Sequence, residues 1–266
     1  MEEQEIINKL SKTKFTNVIS LGFFCSVAGD IESLGLRTGS GPFDWVWSTW
    51  DGVFRSFKEE FSDFFRKENL YQADVDRSIY ADREYNIISF HDFSKYTAFE
   101  GQYEIVSTKY KRRIDRFLKQ IKEPTLFIRY IWNGEYRGEY SKELTHIEED
   151  YMEFVKLIKK YNKDNEVVFV ANDDLNTDKI PVFFVKKDKC DAVNRRPLYG
   201  NALLLKYLQT MDFDNRQQNL IEYNQKENRK KSIVYRVVAK AMLIINKYFR
   251  NEYIYMKQYC HGDYKC

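Results

Sequence analysis

Cys25 is the residue of the sequence best placed to do chemistry, because of the segment SLGFFC in which it stands. The apolar run at residues 17–21 predicts a buried strand, and Gly22 predicts a tight turn directly after it. The helix predicted next begins at Cys25, since apolar residues recur at helical spacing: Val27, Ala28, Ile31 and Leu34. A helix N-terminus lowers the pKa of a thiol from about 8.5, and the thiolate is the nucleophilic form. Cys25 is therefore a candidate nucleophile, against the plainer interpretation of a small buried hydrophobe.

His91 is the candidate partner of that cysteine, because it directly follows a second predicted strand at residues 86–90. Such a histidine takes the thiol proton as general base and returns it to the leaving group as general acid. Asp44 or Asp173, each on another loop, is predicted to orient the imidazole ring. Backbone N–H groups at residues 24–26 are predicted to donate to a developing oxyanion. The structural alternative is a histidine that is merely hydrogen-bonded at a strand end.

Several residues near these candidates are predicted to contact the substrate. The Gly-rich loop RTGSGPFDW at residues 37–45 ends in GPFDW, which combines a Pro-fixed turn with an acid and two large rings. The rings either wall a site or anchor the loop. Arg129 stands in an otherwise apolar strand, so it must be paired or face an opening, and it is a candidate for binding an anionic group. The predicted substrate-binding set is Gly22, Phe24, Ser26, Arg37, Phe43, Trp45, Asp92 and Arg129.

The elements that must position these residues alternate between apolar strands and helices. Strands are predicted at residues 17–21, 86–90, 126–132, 166–171 and 180–185, and helices at residues 25–34, 103–121 and 141–161. This order is typical of an α/β fold with a mostly parallel central sheet and helices on both faces. Residues that follow such strands meet at one edge of the sheet, so Cys25, His91 and Asp173 are predicted to converge. Five phenylalanines between residues 54 and 65 recur at helical spacing and are predicted to be core.

Charge divides the chain into an α/β domain at residues 1–225 and a C-terminal basic helical tail at residues 226–266. The tail contains ten lysines and arginines against three acidic residues, and its segment 233–249 has the composition of an amphipathic helix. We predict either a peripheral contact of this tail with an anionic membrane surface or a helix that packs on the domain.

Composition narrows the remaining classes of partner and cofactor. The net charge of +3 argues against a nucleic acid as partner. Four cysteines without a CxxC pair, and only three histidines, argue against a structural metal site. The acidic start MEEQEIINKLSK lacks the features of a signal peptide. We therefore expect a cytoplasmic protein with reduced thiols, which is membrane-peripheral if the tail binds there.

Three motifs carry a resemblance to a known family: SLGFFCSVA, GLRTGSGPFDWV and SFHDF, in this order. The chain resembles the bacterial family described as putative papain-like cysteine peptidases, a domain of unknown function, from about residue 17 to residue 171. The resemblance implies Cys25 as nucleophile and His91 as its partner. The chain differs from papain itself, because it lacks a C-G-[SA]-C-[WY] segment and its histidine follows 66 residues after the cysteine. The nucleophile directly after the first strand is similar in placement to SGNH-type esterases and to a capsule-biosynthesis acetyltransferase family.

The candidate residues support three hypotheses about function. The first is a cysteine-dependent hydrolase or acyltransferase that forms a thioester at Cys25, without a cofactor, on a small-molecule, glycan or peptide substrate. The second is an acyltransferase acting on capsule or exopolysaccharide precursors, with coenzyme A as its acyl donor. The third is a noncatalytic module in which GPFDW and Arg129 line a pocket for a sugar or sugar phosphate.

Overall fold

The structure, a computed structural model, describes residues 2–76, 78–136, 139–186 and 196–231 of the chain. Its strands are β1 (Asn17–Ser20), β2 (Val46–Ser48), β3 (Leu70–Asp74), β4 (Ile79–Asp82), β5 (Ile87–Ser89), β6 (Thr125–Tyr130), β7 (Glu135–Tyr136), β8 (Glu139–Tyr140), β9 (Glu166–Asn172) and β10 (Val182–Val185). Its α-helices are α1 (Glu3–Leu10), α2 (Cys25–Ser33), α3 (Trp50–Lys58), α4 (Phe99–Gln120), α5 (Glu143–Tyr161), α6 (Pro197–Gly200), α7 (Ala202–Thr210) and α8 (Arg216–Lys231).

The central sheet has the strand order β1-β6-β9-β10, and every neighbouring pair of strands is parallel. Its side chains alternate between two cores. Val18 and Leu126 pack with residues of α1, α2 and α7 on one face. Ile19 and Phe127 pack with residues of α3, α4 and α5 on the other face. Because both faces are buried, the strands are almost continuously apolar. The structure thus confirms the α/β fold with helices on both faces.

The strand predicted at residues 86–90 does not join the central sheet, which corrects that part of the prediction. It is β5, which lies in a second, antiparallel sheet with the order β2-β5-β4-β3. The β4–β5 hairpin is closed by the Asp82 carboxylate, which accepts from the N–H groups of Glu84 and Tyr85 at 2.9 and 3.1 Å. Asn86 completes the turn at a φ of 48°. A hairpin needs only a few connecting residues, whereas a parallel crossover needs a dozen or more, so the local pairing forms.

The phenylalanines between residues 54 and 65 are core, as predicted, although the helix stops before most of them. Helix α3 ends at Lys58, and the chain then turns through Glu60 and Phe61 at φ values of 50° and 61°. The apolar spacing therefore reflects one shared core rather than one continuous helix. The buried members are Phe54, Phe57, Phe61, Phe64 and Phe65.

Helix α8 crosses position 225, where the sequence predicts the start of the basic tail. It runs without a break over Arg216–Lys231, and Lys226 pairs with Glu32 of α2 at 2.8 Å. The first residues of the tail are thus attached to the α/β domain. The apolar segment 233–249 lies outside the described residues. In the part of the chain that the structure describes, no helix is both long enough and apolar enough to cross a membrane.

Candidate active site

Cys25 is the first residue of α2, and its side chain is partly buried. The strand, turn and helix predicted around it are all present. Phe24 before it has extended backbone and gives the helix no side-chain cap, and the first turn contains no acidic residue. The first-turn N–H groups have no acceptor within the helix, so the positive end of the helix dipole is not offset by a carboxylate of that turn.

Gly22 shapes the turn between β1 and α2. Its φ is +84°, and a Cβ atom there would lie 2.3 Å from Ser48 Oγ and 3.4 Å from Arg129 Nη1. The residue is buried against β2, which corrects its place in the predicted substrate-binding set. Only glycine combines this φ with so close an approach of the second sheet.

Arg129 is paired inside the protein. Pairing was one of the two alternatives predicted for it, the other being a position that faces an opening. Its side chain is completely buried. Nε donates to Glu143 at 2.6 Å, Nη1 donates to the Leu21 carbonyl at 2.5 Å, and Nη2 donates to the Ser48 carbonyl at 2.8 Å. This corrects the substrate-binding role predicted for Arg129, because each guanidinium nitrogen has a partner inside the protein. Arg129 instead links β6 to the turn after β1, to β2 and to the start of α5.

His91 follows β5 and lies next to the segment that carries Cys25. The ring of Phe90 packs edge-on against the ring of Phe24, with the two centroids 6.2 Å apart. This contact joins the chain neighbours of the two candidate residues. The second sheet therefore delivers the histidine segment to the start of α2, and the approach of the imidazole to Sγ belongs to the proposal below.

The pKa of His91 is lowered from its usual value, first by desolvation and second by the positive charge of Lys109. The residue nevertheless reaches solvent. The protein around the ring removes part of the bulk water, and this disfavours the charged form of the imidazole. The lowered pKa leaves the imidazole neutral at pH 7, the form that can accept a proton from a thiol.

Asp92 points into α4 and not toward a substrate. Its carboxylate accepts from Ser89 Oγ at 2.5 Å and from the Tyr110 hydroxyl at 2.6 Å, and it pairs with Lys109. The side chain is only 5% exposed. This corrects the predicted substrate contact of Asp92, because a buried carboxylate with three internal partners is satisfied. Asp92 anchors the loop of His91 on α4.

Asp44 and Asp173, the two acids predicted to orient the histidine, lie in different parts of the fold. Asp44 is buried, and its Oδ2 accepts from Arg37 Nη2 at 2.7 Å and from the Gly41 N–H at 2.8 Å. It therefore holds the glycine-rich loop. Asp173 is exposed after β9, which is separated from β1 by β6. Cys25 and Asp173 thus belong to the carboxyl edge of the parallel sheet, whereas the histidine comes from the antiparallel one.

The rings of the GPFDW segment have two different environments. Phe43 is completely buried, and its ring centroid lies 5.7 Å from that of Phe61, so it anchors the loop and is corrected as a substrate contact. Trp45 is partly buried, and the guanidinium carbon of Arg37 lies 4.9 Å from its ring centroid. Phe24 and Ser26, which flank the candidate nucleophile, are also partly buried and stay predicted contacts.

An aromatic cluster beside the turn is missing from the predicted set. Phe23 stacks on Trp132 at 5.5 Å, and Trp47 lies edge-on to both rings at 6.1 and 6.3 Å. All three side chains are partly buried. The available signal was the position of Phe23 and Trp132 shortly after β1 and β6, whereas Trp47 is the middle residue of β2 and gave no such signal. The cluster gives the site a large, rigid apolar wall.

Comparison with known protein families bears on the segment that contains all of these features. The family model described as "Putative papain-like cysteine peptidase (DUF1796)" matches residues 16–174. The chain belongs to this family. No curated protein and no solved structure matches the chain. The papain-like cysteine peptidase match begins just before β1 and ends just after β9, so it includes Cys25 and His91 and confirms the resemblance seen in the sequence motifs.

Metal ligands are not grouped in the described part of this papain-like cysteine peptidase family member. Among those residues, no cluster of three or more histidine, cysteine, aspartate or glutamate side chains could hold a metal ion.

Proposed function

We propose that the chain is a cysteine-dependent enzyme that transfers or hydrolyses an acyl group through a thioester at Cys25. The observation that carries the proposal is the position of Cys25 as the first residue of α2, beside the segment of His91. The family match supports cysteine as the nucleophile. A noncatalytic sugar-binding module is the competing hypothesis, and it gives the thiol no task.

The proposed reaction proceeds in two halves. His91 takes the proton of the Cys25 thiol, and the thiolate attacks the carbonyl carbon of the acyl donor. N–H groups at the start of α2, including that of Ser26, stabilise the charge on the carbonyl oxygen. Protonated His91 then gives its proton to the leaving group. When that group departs, the acyl group remains bound to Cys25 as a thioester. In the second half His91 deprotonates the acceptor, whose oxygen attacks the thioester and frees the thiol.

Hydrolysis and transfer differ only in the acceptor, and the aromatic cluster of Phe23, Trp47 and Trp132 favours a sugar hydroxyl over water. Aromatic faces commonly pack against the apolar face of a sugar ring, and this cluster adjoins the turn that leads to the thiol. In this second candidate function the enzyme acylates a capsule or exopolysaccharide precursor, with coenzyme A as acyl donor. The hydrolase needs no cofactor, so calorimetric binding of coenzyme A distinguishes the two.

Alkylation by iodoacetamide, followed by peptide mass spectrometry, tests the proposed nucleophile. At neutral pH we expect Cys25 to react about tenfold or more faster than Cys190, because its thiolate fraction is higher. His91→Gln should slow the reaction of Cys25. The matched control is His146→Gln, since His146 is bound to Asp51 at 2.9 Å. Equal, slow labelling of both cysteines in the folded wild-type protein would contradict the proposal.

A further inference from the structure

A group of basic side chains lies where α4 faces the loop between α2 and β2. Their spacing on α4 is that of one helix face: Lys109, Arg112, Arg113 and Arg116. Arg116 Nη2 donates to the Ser40 carbonyl of the loop, and a Cβ atom on Gly39 would lie 2.9 Å from Arg116 Nε. Burial and then the charges of Arg112 and Arg113 lower the pKa of Arg116, and Arg37 adds to this effect. The loop therefore supplies one arginine and the helix supplies the others.

Three guanidinium nitrogens of this group are buried without a hydrogen-bond partner in the described part of the chain: Arg37 Nε, Arg113 Nη1 and Arg116 Nε. Arg113 is the most enclosed of these arginines, with 8% of its surface exposed. Buried guanidinium groups are normally paired, because an unmade hydrogen bond from a charged group is costly. Arg129, elsewhere in the same protein, follows that rule with every nitrogen engaged.

Carboxylates balance only part of this charge. Arg37 pairs with Asp44 at 2.7 Å and with Glu32 at 3.2 Å. Among the described residues, no carboxylate lies within ion-pair distance of Arg113 or Arg116. Two guanidinium charges are thus unmatched beside three unused N–H donors. A phosphate group carries nearly two negative charges at neutral pH and accepts several charge-assisted hydrogen bonds, so it matches both deficits.

We propose that Arg37, Arg113 and Arg116 bind a phosphate group of the substrate, remote from the reacting carbonyl. This inference rests on the function proposed above, because only an enzyme has a substrate. Glu32, which contacts Arg37, lies seven residues after Cys25 on α2, and this spacing is roughly 10 Å along the helix axis. Arg37 is thus held about two helical turns along α2 from Cys25, and the phosphate is a handle at that end of the helix. Binding energy at such a distance positions the acyl group for attack.

Thermal unfolding of the full chain with inorganic phosphate, or with glycerol phosphate as a monoester, tests the site. Both ligands should raise the Tm of the wild-type protein and of Cys25→Ser, since ligand binding to the native state stabilises it. Arg113→Gln should weaken phosphate binding about tenfold or more and should raise the Tm without ligand, because it removes an unpaired buried charge. Arg66→Gln is the control, as Arg66 is exposed and paired with Asp63 and Glu68.

Arg116→Gln provides a second variant at a partly exposed position, should Arg113→Gln fail to fold. An absent phosphate response in the wild-type protein overturns the proposal. It is also overturned if the arginine variants and Arg66→Gln respond equally, or if chloride at matched ionic strength gives the same shift. Phosphate binding by Cys25→Ser, together with slow alkylation of wild-type Cys25, would contradict the catalytic proposal and leave the phosphate site intact.

Discussion

The pKa of His91 is lowered by two separate influences, desolvation by the surrounding protein and the charge of Lys109. Removing the charge of Lys109 with Lys109→Gln should raise the pKa of His91, because a nearby positive charge no longer disfavours the imidazolium form. The Asp92 carboxylate, freed of its lysine partner, should act in the same direction. Titration of the imidazole proton resonances by NMR measures the shift directly. The acid limb of the alkylation rate of Cys25 should move to higher pH with it.

Lys111→Gln is the matched control for this experiment, since Lys111 stands on the same helix and is exposed. It should leave the pKa of His91 close to its wild-type value. If Lys109→Gln lowers the pKa or leaves it unchanged, the charge of Lys109 does not reach the imidazole. Desolvation alone would then account for its neutral state.

Residue type and position in the sequence suggested which side chains could react or bind, but not which other side chains they contact. Cys25 and His91 were predicted as candidates because each follows a predicted strand, and their catalytic roles stay predictions. The roles of Asp92 and Arg129 depended on Lys109 and Glu143, which lie 17 and 14 residues further along the chain. Nothing in a linear pattern distinguishes a buried charge with a partner from a charge that waits for a ligand.

The turn between β1 and α2 depends on glycine at position 22. Gly22→Ala should reduce the free energy of unfolding by about 2–4 kcal/mol, from backbone strain at a positive φ together with a clash against Ser48. Chemical denaturation measures the loss. Gly29→Ala is the control within the next helix, where an added Cβ meets no atom within 4 Å. It should stabilise the protein by about 0.5–1 kcal/mol, because alanine favours a helix over glycine.

A double variant separates strain from collision at this turn. Ser48→Gly in the Gly22→Ala background removes the colliding Oγ, so it should restore part of the lost stability and leave the cost of the positive φ. Equal stabilities of Gly22→Ala and Gly29→Ala would show that the turn does not require glycine. The alkylation rate of Cys25 in each variant reports whether the start of α2 keeps its place.

The strands of the central sheet could be predicted, whereas in the second sheet only β5 could. The strands β1, β6, β9 and β10 are apolar runs, because helices cover both of their faces. The strands β2 and β3 are short or largely exposed, with three to five residues each, so they leave no clear alternation. Strand β5 was found but was assigned to the wrong sheet. Its partner is chosen by a local hairpin, which apolarity alone does not encode.

At the scale of the whole molecule, the candidate site forms where the two sheets meet. The Ser48 N–H of β2 donates to the Phe23 carbonyl at 3.0 Å, and Arg129 binds the carbonyls on both sides of this junction. The parallel sheet brings the thiol and the antiparallel sheet brings the imidazole. This division differs from the predicted convergence at one sheet edge, because His91 follows a strand of the other sheet. The alternation of apolar strands and helices was most simply explained by a single sheet with one crevice. That fold has no junction between two sheets.

The basic tail at residues 226–266 is predicted to contact an anionic membrane surface. We expect the full chain to pellet with vesicles that contain phosphatidylglycerol at low salt and to be released at high salt, since each basic residue near such a surface contributes about 1 kcal/mol that salt screens. Replacing three basic residues of the tail by glutamine should abolish pelleting. These residues are Arg236, Lys240 and Lys247. The matched control replaces three exposed lysines of the domain by glutamine: Lys119, Lys122 and Lys163. A folded wild-type chain that stays in the supernatant at low salt would instead favour a tail whose apolar face packs on the domain.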